Sequence, residues 1–469
     1  MRFRSLLLGL ALISAPVAHA QTAADPGRAA FRARYQELIE TNTSLSVGDC
    51  TLAANRMAAH LKAAGIPDKD ITLIVPPQDK RWGNLVAVLP GTDPKAKAIL
   101  MLAHIDVVEA KAEDWGRDPF KLEEKDGMFR ARGASDDKAM ASIFVDNMIR
   151  FKKEGYHPKR TIKLALTCGE ETPNTFDGAR LLAEKYHKLI DAQLALNEGG
   201  SGLLNKDGKK LYNGIQAGEK VYQDFTLEVT NPGGHSSRPV KDNAIYQLAT
   251  ALKKIEAYEF PIEFNTATRG YFDKMSAIRG GTIGADMKAI LAKTPDPAAL
   301  ARLKTDAGLN SILHTTCVAT QLAGGHAPNA LPQRATANVN CRIFPGHPQD
   351  EIKKQLETVI GDPNVKVTFK DPPETVSPAP PLTPAVLGPI EKLTSEMWPG
   401  VPVVPLMAAG ATDARWLTPT GIPTYGISGI FSDPDVTRAH GLNETTPVQS
   451  LYDGREFLYK LVKAYAGGK

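Results

Sequence analysis

The sequence predicts an α/β protein with a mostly parallel central sheet, interrupted by a smaller α+β domain. Three observations predict it. Short apolar runs alternate with helical periodicities across residues 71–196, the order changes to βαββαβ from about residue 217, and the first pattern resumes after Pro372.

The first twenty residues stand outside this frame. MRFRSLLLGLALISAPVAHA places Arg2 and Arg4 before an apolar run, Leu6 to Ile13, and ends in Ala18-His19-Ala20. That is the pattern of a cleaved secretory signal peptide, and the run is too short to span a bilayer. The mature protein is expected to be exported, periplasmic in a Gram-negative source.

Residues 30–64 read as helices, stopped by Gly65-Ile66-Pro67. Strands follow at 71–75, 84–89, 98–103, 161–167 and 192–196, with a helix over 138–153 whose apolar face is Met140, Ile143, Phe144 and Met148. Runs this short and this apolar suit a parallel sheet buried on both faces. The second domain reads as strand 221–229, helix 243–257, strands 312–321 and 335–343, helix 349–360 and strand 365–370. Residues 261–310 interrupt it with an extra helical segment, which is expected to enlarge the small domain. Helix 384–397, strands 401–406 and 423–427 and helix 447–466 return to the first pattern. The division is therefore signal peptide 1–20, large domain 21–216 and 374–469, and small domain 217–373.

Without Arg2 and Arg4 the 56 Lys and Arg fall to 54 against 52 Asp and Glu. A nearly balanced surface gives no electrostatic basis for nucleic-acid or membrane partners. Of the four cysteines, Cys317 and Cys341 fall on successive strands and could pair in an oxidising compartment, while Cys168, in an apolar strand, reads as a core residue. No C-x-x-C spacing offers a thiolate metal site, so any metal would be held by nitrogen and oxygen.

The chemistry gathers where strands end. "LALTCGEET" (164–172) closes a strand with adjacent Glu170 and Glu171, which repel unless a cation is near or one holds a proton. "AILMLAHID" ends in His104 and Asp106, on one face of a strand, where a carboxylate could fix the imidazole tautomer; a buried structural pair would look the same. Asp136 and Asp137 begin the helix at 138, as metal ligands or as ordinary N-terminal acids. Glu198 follows another strand, and His440 lies in a downstream loop. Ligands of open parallel sheets bind beyond the carboxyl ends of the strands. Carboxylates and imidazoles converging there call for cations, and two divalent ions resolve the repulsion, with zinc suited to such a set.

Taken in order, "HID" (104–106), "RGASDDK" (132–138), "GEE" (169–171), "NEGG" (197–200), "GGHSSRP" (233–239), "GGHAPNALP" (324–332), "GATDAR" (410–415) and "AH" (439–440) resemble the co-catalytic metallopeptidases that include glutamate carboxypeptidase, acetylornithine deacetylase, succinyl-diaminopimelate desuccinylase and aminoacylase. The resemblance implies a catalytic domain interrupted by a lid or dimerisation domain. It implies two zinc ions per subunit (cobalt or manganese being alternatives), one held by His104, Asp136 and Glu198, the other by the bridging Asp136 with Glu171 and His440. Asp106 would orient His104, and Glu170 would be the general base. His235 would steady the oxyanion, from the partner subunit in dimeric members. Asn329, Arg342, Gly410 and Thr412 would contact substrate, Arg342 through a bidentate pair with its carboxylate. Ala139 departs from the pattern, standing where a glycine often follows the lysine, and segment 261–310 leaves the dimer geometry, and with it the role of His235, open.

The implied function is an exported zinc-dependent amidohydrolase or peptidase: a carboxypeptidase, dipeptidase or N-acyl-amino-acid deacylase acting beside a free carboxylate. A periplasmic solute-binding protein and a two-metal phosphoesterase are the alternatives.

Overall fold

The apolar runs of the first half are too short for stable helices and apolar on both faces, as strands between two helical layers must be. In the computed structural model, which describes residues 26–172 and 175–469, they form β1 (Ile71–Ile74), β2 (Asn84–Leu89), β3 (Ile99–His104), β4 (Ile162–Thr167) and β5 (Leu194–Asn197). The expected signal peptide at 1–20 lies outside the described residues. β6 (Gly202–Leu204) and β7 (Lys210–Glu219) follow; β8 (Val221–Thr230), β9 (Thr316–Gly324), β10 (Arg334–Ile343) and β11 (Lys366–Phe369) form the small domain; β12 (Val403–Ala408), β13 (Thr424–Gly426) and β14 (Phe431–Ser432) return to the large one.

The large sheet runs β1-β2-β4-β3-β5-β13-β7-β6-β14, with β12 beside β7. Its centre is parallel, β3 pairing β4 and β5, and β5 pairing β13. Antiparallel pairs flank it. Alternation along β3 feeds both layers. Met101 and Ala103 pack with helices Cys50–Ala63, Lys138–Lys153 and Val448–Ala466, while Leu100 and Leu102 pack with Leu182 of helix Gly178–Lys185 and with Leu417. The parallel strands thus end together, which is what brings His104, Glu170, Glu171 and Glu198 to one edge.

The small sheet is antiparallel, β9-β10-β8-β11. Phe225, Leu227 and Val229 of β8 and Val339 and Cys341 of β10 bury against helices Ala244–Ala257 and Gln349–Ile360. Cys317 and Cys341 are register partners across β9 and β10 and form a disulfide.

Two expectations change. Cys168 is not simply a core residue. It is buried and also disulfide-bonded to Cys50, because the helix that starts at Cys50 packs beside the end of β4. Segment 261–310 forms helices Thr266–Arg279, Gly281–Ala289, Pro297–Leu303 and Ala307–Ser311. Their apolar side chains, among them Phe272, Met275 and Met287, close over Val404 of β12, with Tyr212 and Leu406 at the margin. The segment thus packs on the large sheet and not on the core of the small domain. Lys220, where the chain crosses between domains, ties its end down by donating to the carbonyls of Ser311 (2.7 Å) and His314 (2.8 Å).

Candidate metal centre

β3 delivers His104 fully buried at the sheet edge. Its Nδ1 lies 3.1 Å from the backbone carbonyl of Asp106. A carbonyl only accepts, so Nδ1 keeps its proton and Nε2 is the nitrogen turned toward the carboxylates. Asp106 therefore orients His104, but through its main chain. Its carboxylate stands 3.6 Å from Nδ1 and instead accepts the backbone N–H of Glu171 at 3.0 Å.

Asp136 is the centre of the cluster. Oδ1 lies 3.0 Å from His104 Nε2 and Oδ2 lies 3.1 Å from His440 Nε2. Asp137 occupies the N-cap position of helix Lys138–Lys153 without a capping hydrogen bond from its side chain. On the His104 side, Glu198 Oε1 is 3.7 Å from Nε2. On the other, Glu171 Oε1 is 2.9 Å from His440 Nε2. Ligand atoms of His104, Asp136 and Glu171, and of His104, Glu170 and Glu198, lie within 4.8 Å of one another. His104 belongs to both groups, and Asp136 stands between His104 and His440. Imidazole nitrogens and carboxylate oxygens, without thiolate, are a set that fits divalent ions of the zinc, cobalt or manganese kind.

The electrostatics carry the mark of this crowding. Burial, then Glu198, pushes the Glu170 carboxyl well above its usual range. Burial also raises Glu198. Burial works to raise Asp136 too, but hydrogen bonds to His104 and His440 outweigh it and hold the carboxyl below its usual range. Hydrogen bonds to Asp136 and Glu171 push His440 up to about 10. Negative charge in this density is what bound cations offset.

Residues 100–464 match the family described as peptidase family M20/M25/M40. The chain belongs to this family. It is 28% identical over 398 residues to the human N-fatty-acyl-amino acid synthase/hydrolase PM20D1, covering 80% of this chain and 75% of that protein. Among solved structures, an M20 family metallo-carboxypeptidase from Sulfolobus solfataricus superimposes with a TM-score of 0.66 at 17% identity, over 93% of this chain and 99% of that one. The Bacillus subtilis YXEP protein, described as a dinuclear metal-binding peptidase of the M20 family, does so at 0.59 and 13% identity, over 93% and 97%. Membership makes the chain a hydrolase and sets aside the solute-binding alternative.

The remaining sequence-predicted residues lie apart from the cluster. His235 and Asn329 are exposed neighbours in the small domain: His235 pairs with Ala330, and Ser236 donates its backbone N–H to the carbonyl of Asn329 at 3.0 Å. Arg342 pairs with Tyr222 across β10 and β8, its guanidinium 4.6 Å from the ring centre. Among the described residues, no side-chain hydrogen bond or ion pair joins these three to the cluster. Gly410 is exposed with open space above it. The Thr412 N–H and hydroxyl both donate to Glu219 Oε2 (3.0 and 2.9 Å), and its oxygen accepts from Asn197 Nδ2 (3.2 Å), so the side chain ties its loop to the ends of β7 and β5.

Sequence reasoning gave no role to Glu219, Arg132 or Glu444, although Arg132 opens the motif RGASDDK. Glu219 and Glu444 are buried acids; nearness to His440, four residues before Glu444, was the available signal for Glu444, and nothing local in the sequence marks Glu219.

Proposed function

We propose that this M20 hydrolase uses two divalent ions, zinc by preference, to hydrolyse an amide bond beside a free carboxylate in short peptides or N-acyl amino acids. The observation that carries the reading is Asp136, whose two oxygens face His104 and His440 in turn. The similarity to PM20D1 supports N-acyl amino acids as the first substrates to try. Bound ions would acidify a water and polarise the amide carbonyl. The chain supplies the rest. Glu170, held at a raised pKa by burial, takes the proton from the attacking water and returns it to the departing nitrogen. Asp106 fixes the His104 ring and the main chain of Glu171.

A homodimer through the lid is part of the proposal. Among the described residues β9 pairs only with β10; it presents exposed Val318 and Leu322, and helix Ala244–Ala257, which packs beside it, presents exposed Ile245 and Tyr246. An unpaired apolar edge of this kind invites a second copy. Export is proposed as well, supported by the two disulfides.

The test is turnover of a panel of dipeptides, N-acyl amino acids and a generic phosphate ester, before and after chelation and with zinc or cobalt added back. Amide cleavage that chelation abolishes and metal restores is expected. Full activity in a rigorously metal-free preparation, or turnover of the phosphate ester alone, would overturn the reading.

A further inference from the structure

Two loops must meet for Asp136 to face both imidazoles. One leads through residues 131–137 into helix Lys138–Lys153; the other carries His440. Arg132 and Glu444, an ion pair at 2.8 Å buried on both sides, join them. Glu444 arrives from the His440 loop and holds the backbone of the Asp136 loop. Its Oε1 accepts the N–H groups of Ser135 (2.7 Å) and Asp136 (3.0 Å), and its Oε2 accepts that of Gly133 (3.1 Å). Arg132 arrives from the Asp136 loop and holds the backbone of the His440 loop. Its Nη2 donates to the carbonyls of His440 (3.2 Å) and Gly441 (3.1 Å). The two loops grip each other reciprocally. Trp115 backs the guanidinium, its ring centre 5.2 Å away.

His440 needs such a grip. Its φ is +62°, and Arg438 (+51°) and Asn443 (+55°) share the left-handed region. Side chains other than glycine enter that region at a cost and stay there only where their surroundings hold them. Packing does not do so here, because the His440 side chain is 55% exposed. The hydrogen bonds from Arg132 to its backbone do.

We propose that Arg132 and Glu444 form a positioning clamp that sets His440 against Asp136, and that affinity for the ion held by Asp136, Glu171 and His440 depends on it. The inference rests on the two-ion reading above. Partners that orient metal ligands without touching the metal typically contribute about 10–100-fold in metal affinity.

The test is zinc titration of metal-stripped protein against a competing chelator, with the unfolding temperature of each metal-free form measured alongside. Arg132→Lys keeps a charge beside Glu444 but loses the fork that reaches both carbonyls. It should weaken one zinc equivalent by about 10–100-fold, leave the other nearly unchanged, and leave the metal-free unfolding temperature close to that of the parent. The weakened equivalent should be the one that His440→Ala removes, and combining the two changes should add little. Glu444→Gln should weaken the same equivalent; if it does not fold, Arg132→Lys decides alone. Two equivalents bound as in the parent, or both lost in parallel with a lowered metal-free unfolding temperature, would overturn the clamp. Fewer than two equivalents in the parent would overturn the two-ion reading and the clamp with it.

Discussion

The backbone N–H of Glu171 donates to the carboxylate of Asp106 at 3.0 Å. The residue two beyond His104 thereby fixes the main chain at the point where two acidic side chains must diverge. Glu171 faces His440, while Glu170 lies with His104 and Glu198 and is pushed to a raised pKa by burial. Adjacent residues of one type are given different neighbours by the direction in which the backbone presents them.

That divergence predicts different losses. Glu170→Gln should lose most turnover while still binding two ions, because an amide cannot carry the proton. Glu171→Gln should instead weaken one ion. Metal analysis beside turnover decides it, and equal metal loss in both variants would show the assignment to be reversed or shared.

Stability should depend on pH through Glu219. Its carboxyl is fully buried, and burial pushes it up to about 8 from an ordinary 4.5. Between those values the folded chain holds a proton that the unfolded chain has released. Its contribution to stability is therefore fully present below the unfolded pKa and is lost as pH rises through the folded one. Glu219→Gln keeps an acceptor for the two Thr412 donors and removes the titration. Unfolding temperatures measured from about pH 5 to pH 8 should fall more in the parent than in the variant. Parallel curves would place the titrating proton elsewhere.

Much of this was legible because function in a parallel sheet sits at strand ends, and strand ends are what apolar runs reveal. Helix 138–153 and the placement of His104, Glu170, Glu171 and Glu198 follow from local pattern alone. What stayed hidden depends on distant partners. Cys50 and Cys168 are 118 residues apart. Arg132 and Glu444 acquire meaning only when loops more than three hundred residues apart in sequence meet. β7 was missed because Asn213-Gly214 inside it reads as a turn, although both residues are buried next to β12. The helices of 261–310 were visible, but which sheet they cover is a tertiary choice that no periodicity carries.

Arg342 predicts a substrate effect. If its guanidinium, now stacked on Tyr222, pairs with the substrate carboxylate, then Arg342→Ala and amidation of the substrate each remove the same interaction. A hydrogen bond to a charged group is worth about 1.5–3 kcal/mol, so each should lower kcat/KM by about ten- to a hundredfold. Combined, the losses should not multiply. Independent multiplication would assign the carboxylate to another group, with Asn329 next in line.

His235 predicts cooperation between subunits. It is exposed on the lid, its Nδ1 accepting the backbone N–H of Ser237 at 3.1 Å, and nothing in its own chain ties it to the cluster of His104, Asp136 and Glu171 among the described residues. If it serves the partner's site across the lid edge at β9, Glu170→Gln and His235→Ala homodimers should both be nearly inactive. A mixed dimer should not be. The subunit that carries His235→Ala keeps its own Glu170 and receives an intact His235 from the Glu170→Gln subunit, so one of the two sites is complete. Co-expressing the two variants with different affinity tags and purifying the mixed species should recover up to about half of the parent activity per dimer, by counting complete sites. If His235 acts within its own chain, every site of the mixed dimer lacks either the base or the histidine, and mixing restores nothing. A monomer at assay concentration that nevertheless depends on His235 would argue the same way, because it would require the lid of a single chain to close over its own metal centre.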